Sequence, residues 1–196
     1  MPKFSEHERG RILSALKSEG GSLFSRQGLR KTSVEDIAKA AGIAKGSFYS
    51  FFESKEELLM EILNDEEIRI HSLIRERTSG GMTARNLYDT LYEVYVSFYD
   101  NSLSSILYRL NEFPLLFRKV SQKQLEENAA RDIELSEYIA GRLPGPKRDP
   151  RILSGLFRSI FLSSLYKDVI GEDVFDEVLR LQIRYAVDGL FRQTKL

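Results

Sequence analysis

From Ile12 to Leu190, apolar residues recur three and four positions apart, and nowhere do they alternate in the manner of a strand. That period places them on one stripe of a helix and leaves no pattern for a sheet. The chain is therefore expected to be all-α. About nine helices are predicted, near 5–27, 34–40, 45–51, 55–77, 83–99, 101–109, 115–139, 151–167 and 173–192. Gly28 is placed just past the end of the first and Gly42 in the turn between the second and third. Gly20 and Gly21 fall inside the first helix, where each costs about 1 kcal/mol against Ala. A bend or break is expected there.

The stretch 33–51 is the most informative. Two helices of about two turns each, with a glycine turn between them, are too short to stand alone. They need the first helix packed across them. The result is a three-helix, helix-turn-helix head whose last helix can enter a DNA major groove about 12 Å wide. Lys45, Gly46 and Ser47 put small or cationic groups at the start of that helix, where free backbone N–H groups favour phosphate oxygens. Phe48 and Phe51 can face inward, while Tyr49 presents its hydroxyl outward. Lys55 opens the next helix, where a cation works against the helix dipole and points to an external anion. The plain alternative is a three-helix corner with a solvated lysine.

Charge agrees with a polyanion partner for the head alone. The chain has 29 Lys/Arg and 29 Asp/Glu, which excludes both a highly basic chromatin-like protein and an acidic disordered one. Residues 1–55 hold ten basic against six acidic side chains, a surplus of four, and the remainder holds 19 against 23. There is no cysteine, and His7 and His71 lie far apart, so neither a cysteine nor a multi-histidine metal site is expected. No metal or cofactor is anticipated. No nucleophile elbow, phosphate-binding loop, zinc-protease or dinucleotide motif occurs, so no catalytic residue is assigned and the chain is not read as an enzyme. The start is charged within eight residues, unlike a secretory signal, and no apolar run has membrane length. A cytoplasmic setting without a membrane partner is expected.

Residues 32–59, TSVEDIAKAAGIAKGSFYSFFESKEELL, closely resemble the DNA-binding head of the TetR family of bacterial transcriptional regulators. Upstream, ILSALKSEGGSLFSRQG resembles the family's first helix, about one turn longer than usual. The resemblance covers about 9–60, and the rest matches in length and helical layout. It implies a homodimer, usually a repressor, whose two heads read a palindromic operator in double-stranded DNA. By that resemblance Thr32 and Ser33 sit where the second helix's N-terminus meets a phosphate. Lys45, Gly46 and Ser47 begin the recognition helix, Tyr49 is the aromatic phosphate contact, and Lys55 is the contact at the start of the fourth helix. Ser50 joins this set where a longer side chain, often Arg, is common. Ala44 leaves the recognition helix without a Ser or Thr cap, and Phe51 replaces a frequent His. The implied division is a DNA-binding domain over 1–54 and a ligand-binding and dimerisation domain over 55–196.

In that larger helical body, Tyr88, Tyr92, Tyr95 and Tyr99 share one helical face. A tyrosine hydroxyl needs a partner, so the stripe suggests a cavity with apolar walls and a few polar points. Phe98, Phe113 and Phe117 would broaden the lining, and Arg109, if inward, would favour an anionic group. The other reading is a core or interface face whose hydroxyls reach solvent. A small, mostly apolar or aromatic effector is expected to release the DNA. The last two long helices offer Ile152, Gly155, Leu156, Ile160, Val178, Leu181 and Tyr185 as a dimer face, with Gly155 allowing close backbone approach. Alternatively, both helices pack wholly inside one subunit. The competing function is a helical small-molecule-binding or interaction dimer that does not bind DNA.

Overall fold

The computed structural model describes residues 4–99, 103–119 and 121–192, excluding the side chains of Phe98, Tyr99, Tyr108, Arg109, Phe117 and Leu125. The regular structure of the described residues is helical throughout: α1 (Glu6–Lys31), α2 (Val34–Ala40), α3 (Lys45–Phe48), α4 (Lys55–Thr78), α5 (Ala84–Tyr99), α6 (Leu103–Arg109), α7 (Phe113–Phe117), α8 (Gln122–Ala140), α9 (Pro150–Leu165), α10 (Lys167–Ile170) and α11 (Phe175–Phe191). These are eleven helices where nine were expected, and the physical reasons are local. Pro114 lies in the first turn of α7, where its missing N–H costs no helical bond, and the stretch predicted as 115–139 divides into α7 and α8 at residues 118–121. The helix predicted over 151–167 stops at Leu165, and a single further turn, α10, ends at Gly171 with φ 116°.

The described residues form two compact units, one within 4–66 and 103–121, the other within 67–99 and 122–192. Phe24, Phe48, Leu16, Leu29 and Ile37 fill the core of the first unit. Leu58, Leu59 and Met60 of α4 belong to the same core, as do Leu107 and Leu116. The compact unit that holds the three-helix head thus also includes the first turns of α4 and residues of α6 and α7. In the second unit α5, α9 and α11 pack around Leu87, Leu91, Ile160, Phe175, Leu179 and Ile183, joined by Ile139 of α8 and Ile74 of α4. Among the described residues, no helix is long and apolar enough to cross a membrane.

The glycine pair in α1 does not break the helix. A Cβ on Gly20 would stand 2.8 Å from Leu58 Cδ2, so the missing side chain lets α4 approach α1. At Gly21 the same atom would meet Ile62 at 3.8 Å, an ordinary contact. Lys17 joins the same two helices, its Nζ lying 2.8 Å from Asp65 Oδ2 and 3.3 Å from Glu61 Oε2. Burial opposes the Lys17 charge, but the two carboxylates outweigh it and raise its pKa above the ordinary value.

The two glycines therefore respond differently to a methyl group. Gly21→Ala is expected to raise stability by about 0.5–1 kcal/mol through helix propensity. Gly20→Ala gains the same propensity but overpacks Leu58, which is fully buried, at a cost of about 1–3 kcal/mol. Thermal melts should place the Gly21 variant above the parent chain and the Gly20 variant clearly below the Gly21 one.

Candidate nucleic-acid interface

No break occurs at Gly20 or Gly21, and the regular part of α1 stops at Gly28, where the sequence places the end of the first helix; its φ of 80° and ψ of 174° interrupt the helical hydrogen bonds. The turn that follows, 29–31, starts with free N–H groups, and a buried side chain from far along the chain satisfies them. Glu112 is 4% exposed, and its carboxylate accepts from Leu29 N at 2.5 Å and Arg30 N at 3.1 Å. Asn111, at φ 52°, turns the chain out of α6 and aims Glu112 at this spot. A Cβ on Gly28 would fall 2.5 Å from Leu110 Cδ1 and 2.7 Å from Glu112 Oε2. Only glycine fits both the backbone angle and the space.

The other end of this turn is closed by Lys55. Its Nζ donates to Leu29 O and to Thr32 O, both at 2.7 Å. The cation that seemed to oppose the α4 dipole thus has an internal partner, the carbonyl end of α1. Thr32 is also turned inward: it is 1% exposed and its hydroxyl donates to Gly28 O at 2.7 Å. The start of α2 is held by a reciprocal cap. Ser33 Oγ accepts from Asp36 N at 3.1 Å, and Asp36 Oδ2 accepts from Ser33 N at 3.2 Å. Hydrogen bonds from the Ser33 hydroxyl and then its backbone N–H hold the Asp36 carboxyl below its usual pKa.

The helix predicted over 45–51 is shorter, with α3 covering Lys45–Phe48 and tight turns continuing to Phe52 through Ser50 N to Ser47 O and Phe52 N to Phe48 O. Ala44 gives α3 no side-chain cap. Phe48 and Phe52 are buried, while Tyr49 is 53% exposed and stands edge-on to Phe48. Lys45 and Gly46 are exposed and Ser47 is half-buried. Lys45 Nζ lies 3.6 Å from Glu35 Oε2, a solvent-facing pair of little net strength. Ser50 is half-buried, and its carbonyl accepts from Arg9 Nη1 at 3.3 Å while the same guanidinium lies 4.8 Å from the Phe51 ring centre. Sequence reasoning missed Arg9 and Glu112, since neither pairing has any local signal: their partners lie 41 and more than 80 residues away.

The body candidates separate. Tyr95 is 4% exposed and donates to Phe157 O at 2.9 Å, and burial raises its pKa. Tyr92 donates to Asp176 Oδ1 at 2.5 Å, lies under the Arg180 guanidinium, and stacks with Tyr88. Tyr88 also lines a groove of about 270 Å³ with Ala84, Arg85, Arg184, Val187 and Asp188. Phe113 packs instead on the core of the first unit. The side chains of Phe98, Tyr99, Arg109 and Phe117 lie outside the described residues. Of the dimer-face candidates, Ile152 and Tyr185 are each 69% exposed and Leu181 is 38% exposed. Gly155 is open, with no atom within 4 Å of a Cβ there. Leu156 and Val178 are half-buried. Ile160 departs from the expectation: it lies in the core of its own subunit because its turn of α9 faces that core. Leu162, Tyr166 and Val169 add exposed apolar surface that was not anticipated.

Residues 20–62 match the family model described as bacterial regulatory proteins, tetR family. The chain is similar to the HTH-type transcriptional repressor KstR2 of Rhodococcus jostii strain RHA1, at 32% identity over 138 residues. That match covers 70% of this chain and 64% of the repressor, so the chain spans just under two thirds of that relative's length. In fold it is similar to NalD, the secondary repressor of the MexAB-OprM multidrug efflux pump in Pseudomonas aeruginosa, with a TM-score of 0.59 at 23% identity over 96% of this chain and all of that one. It is also similar to FadR of Bacillus subtilis, solved in complex with stearoyl-CoA, with a TM-score of 0.62 at 16% identity over 95% of this chain and all of that one.

The clasp at Gly28 can be tested by stability. Glu112→Gln replaces one acceptor oxygen with a donor that cannot take a backbone N–H, and is expected to cost about 1–3 kcal/mol. Gly28→Ala adds backbone strain to a steric clash and is expected to cost at least about 2 kcal/mol. Urea titrations of both variants, with Arg26→Ala on the exposed face of α1 as the control, provide the measurement.

Proposed function

We propose that this chain, which belongs to the TetR family of helix-turn-helix regulators, acts as a homodimeric repressor on a palindromic operator and is released by a small, mostly apolar or aromatic molecule. The family is one of DNA-binding transcriptional regulators rather than enzymes. One observation carries the reading: the segment matched by the family model, 20–62, contains α2, the Gly42 turn and α3, with Lys45, Gly46 and Tyr49 exposed together. A side chain as apolar as Tyr49, 53% exposed beside a lysine on a surface otherwise rich in charge, is well suited to reach a phosphate through its hydroxyl.

The other head residues take narrower roles in this proposal. Ser33 and Ser47 offer backbone N–H groups at helix starts. Ser50 lies close to the same surface. Thr32 acts through its position, because its hydroxyl is bonded inward. Lys55 uses two of its three ammonium hydrogens on carbonyls, and the third remains for a phosphate.

Exposed Ile152, Leu181 and Tyr185, with open Gly155, support pairing of α9 and α11 with their symmetry mates. Such a dimer would hold its recognition helices about 34 Å apart, one turn of DNA. The stearoyl-CoA of the similar FadR structure supports an effector with a large apolar part. Within this reading α4, which contributes residues to both compact units, is the element that an effector would shift.

A mobility-shift titration against DNA upstream of the chain's own gene tests the proposal. Lys45→Ala is expected to weaken binding to all sequences and to make the salt dependence shallower. Tyr49→Phe should cost about 1 kcal/mol in operator affinity. Lys55→Ala should lower both operator affinity and the melting temperature, since it also removes the cap on α1. Tyr185→Asp should convert a sedimenting dimer into a monomer. A chain that dimerises but binds none of the upstream DNA would instead be the interaction dimer.

A further inference from the structure

Three side chains that the DNA-binding reading leaves unused converge in the second unit. Glu67 and His71 stand one helical turn apart on α4, so they project from one face. Asp132 of α8 reaches the same place. Glu67 Oε1 lies 4.0 Å and Asp132 Oδ1 3.8 Å from His71 Nε2. One donor atom from each of the three lies within 4.8 Å of the other two. All three side chains are half-buried, at 20%, 14% and 37% exposure for Glu67, His71 and Asp132.

The separations are too long for hydrogen bonds. The carboxylates are held from outside the cluster instead. Arg131 Nη2 donates to Glu67 Oε2 at 3.0 Å, and Arg158 Nη2 donates to Asp132 Oδ2 at 2.8 Å. Asn128 Oδ1 accepts from the same nitrogen of Arg131. Each guanidinium thus takes the outer oxygen of its carboxylate and leaves the inner oxygen turned toward the imidazole. Outer partners that orient ligating carboxylates in this way are a regular part of metal sites.

We propose that Glu67, His71 and Asp132 form a binding site for a divalent transition-metal cation, with Glu67 Oε1, His71 Nε2 and Asp132 Oδ1 as its ligands. One imidazole nitrogen with two carboxylate oxygens suits zinc and its first-row neighbours, whereas calcium and magnesium favour oxygen alone. Zinc bonds to such atoms run about 2.0–2.2 Å, which sets ligand atoms about 3.4 Å apart in a tetrahedron, so donors now 3.8 Å, 4.0 Å and at most 4.8 Å apart draw together by side-chain rotation on binding. Three protein ligands leave a position open for water or for an oxygen of a bound molecule. Arg131 and Arg158 balance the two carboxylate charges, so the site binds through its geometry rather than through excess negative charge. The absence of cysteine and of a second nearby histidine hid this site in the sequence, because two of its donors are carboxylates and one lies 61 residues from His71.

The test uses the full chain, freed of metal by a chelator, with zinc chloride alone as the probe. Isothermal titration is expected to give one Zn²⁺ per chain, and the melting temperature should rise with zinc and return with EDTA. His71→Gln and Asp132→Asn, each checked for fold by circular dichroism, should weaken zinc binding at least tenfold, while His7→Ala leaves it unchanged. Cobalt(II) loading should give visible absorption bands that His71→Gln abolishes. The proposal is overturned if the parent chain binds no zinc, if the affinity survives His71→Gln, or if it is lost in His7→Ala.

Discussion

A short turn of backbone, residues 29–31, is held at both ends by side chains remote from it, and the head is organised around that arrangement. Gly28 breaks α1 with a left-handed angle, which leaves the N–H groups of Leu29 and Arg30 without helical partners, and the carbonyls of Leu29 and Thr32 close the other end of the same short turn. Buried groups of this kind cost free energy unless they are paired. Glu112 supplies the acceptor and Lys55 the donor. Both side chains are charged, so the bonds are stronger than neutral ones. They also bring three distant stretches together: the end of α1, the start of α4 and the α6–α7 turn. The start of α2 at Ser33 follows directly, so the orientation of the helix-turn-helix depends on this clasp.

The same arrangement changes how the basic face of the head should be counted. A surplus of four positive charges over 1–55 includes Lys17, which lies against Glu61 and Asp65, and Lys55, which caps α1. Arg9 is partly committed to Phe51 and the Ser50 carbonyl. Lys45 is exposed, with only a loose pair to Glu35. Several of the cations that composition assigns to a polyanion therefore hold the fold together, and the surface offered to phosphate relies on fewer, better placed groups. Polar groups at helix starts and the Tyr49 hydroxyl then matter as much as net charge.

In the body, polar atoms are again matched locally. The tyrosine stripe of α5 gives Tyr92 to Asp176 and Arg180, and Tyr95 to the Phe157 carbonyl. Such hydroxyls anchor α5 to α9 and α11 rather than standing idle on a cavity wall. The Glu67, His71 and Asp132 cluster follows a different logic, since its inner atoms face one another without bonding while the outer oxygens are engaged. Exposed Ile152, Val169 and Tyr185 lie on the outside of the same unit, where large apolar groups gain by being covered.

By itself the sequence determined the helical class, most helix positions, the Ser33 cap, the uncapped start at Ala44 and the helix-turn-helix spacing. These depend on residues at most a few positions apart, and periodicity, capping and glycine turns act at that range. It also carried the family likeness over the head. Only the tertiary structure decided that the Gly20 gap admits Leu58, that Ile160 faces inward while Ile152 faces out, that Lys55 and Thr32 are bonded internally, and that Glu112 closes the turn after Gly28. The Gly20, Lys55 and Glu112 contacts join residues tens of positions apart in the chain, and the Thr32 bond to Gly28, though only four residues long, exists because of the break there. A local pattern states which side of a helix is apolar or charged, but not which neighbour meets it, because that choice is made by the packing of all the helices together.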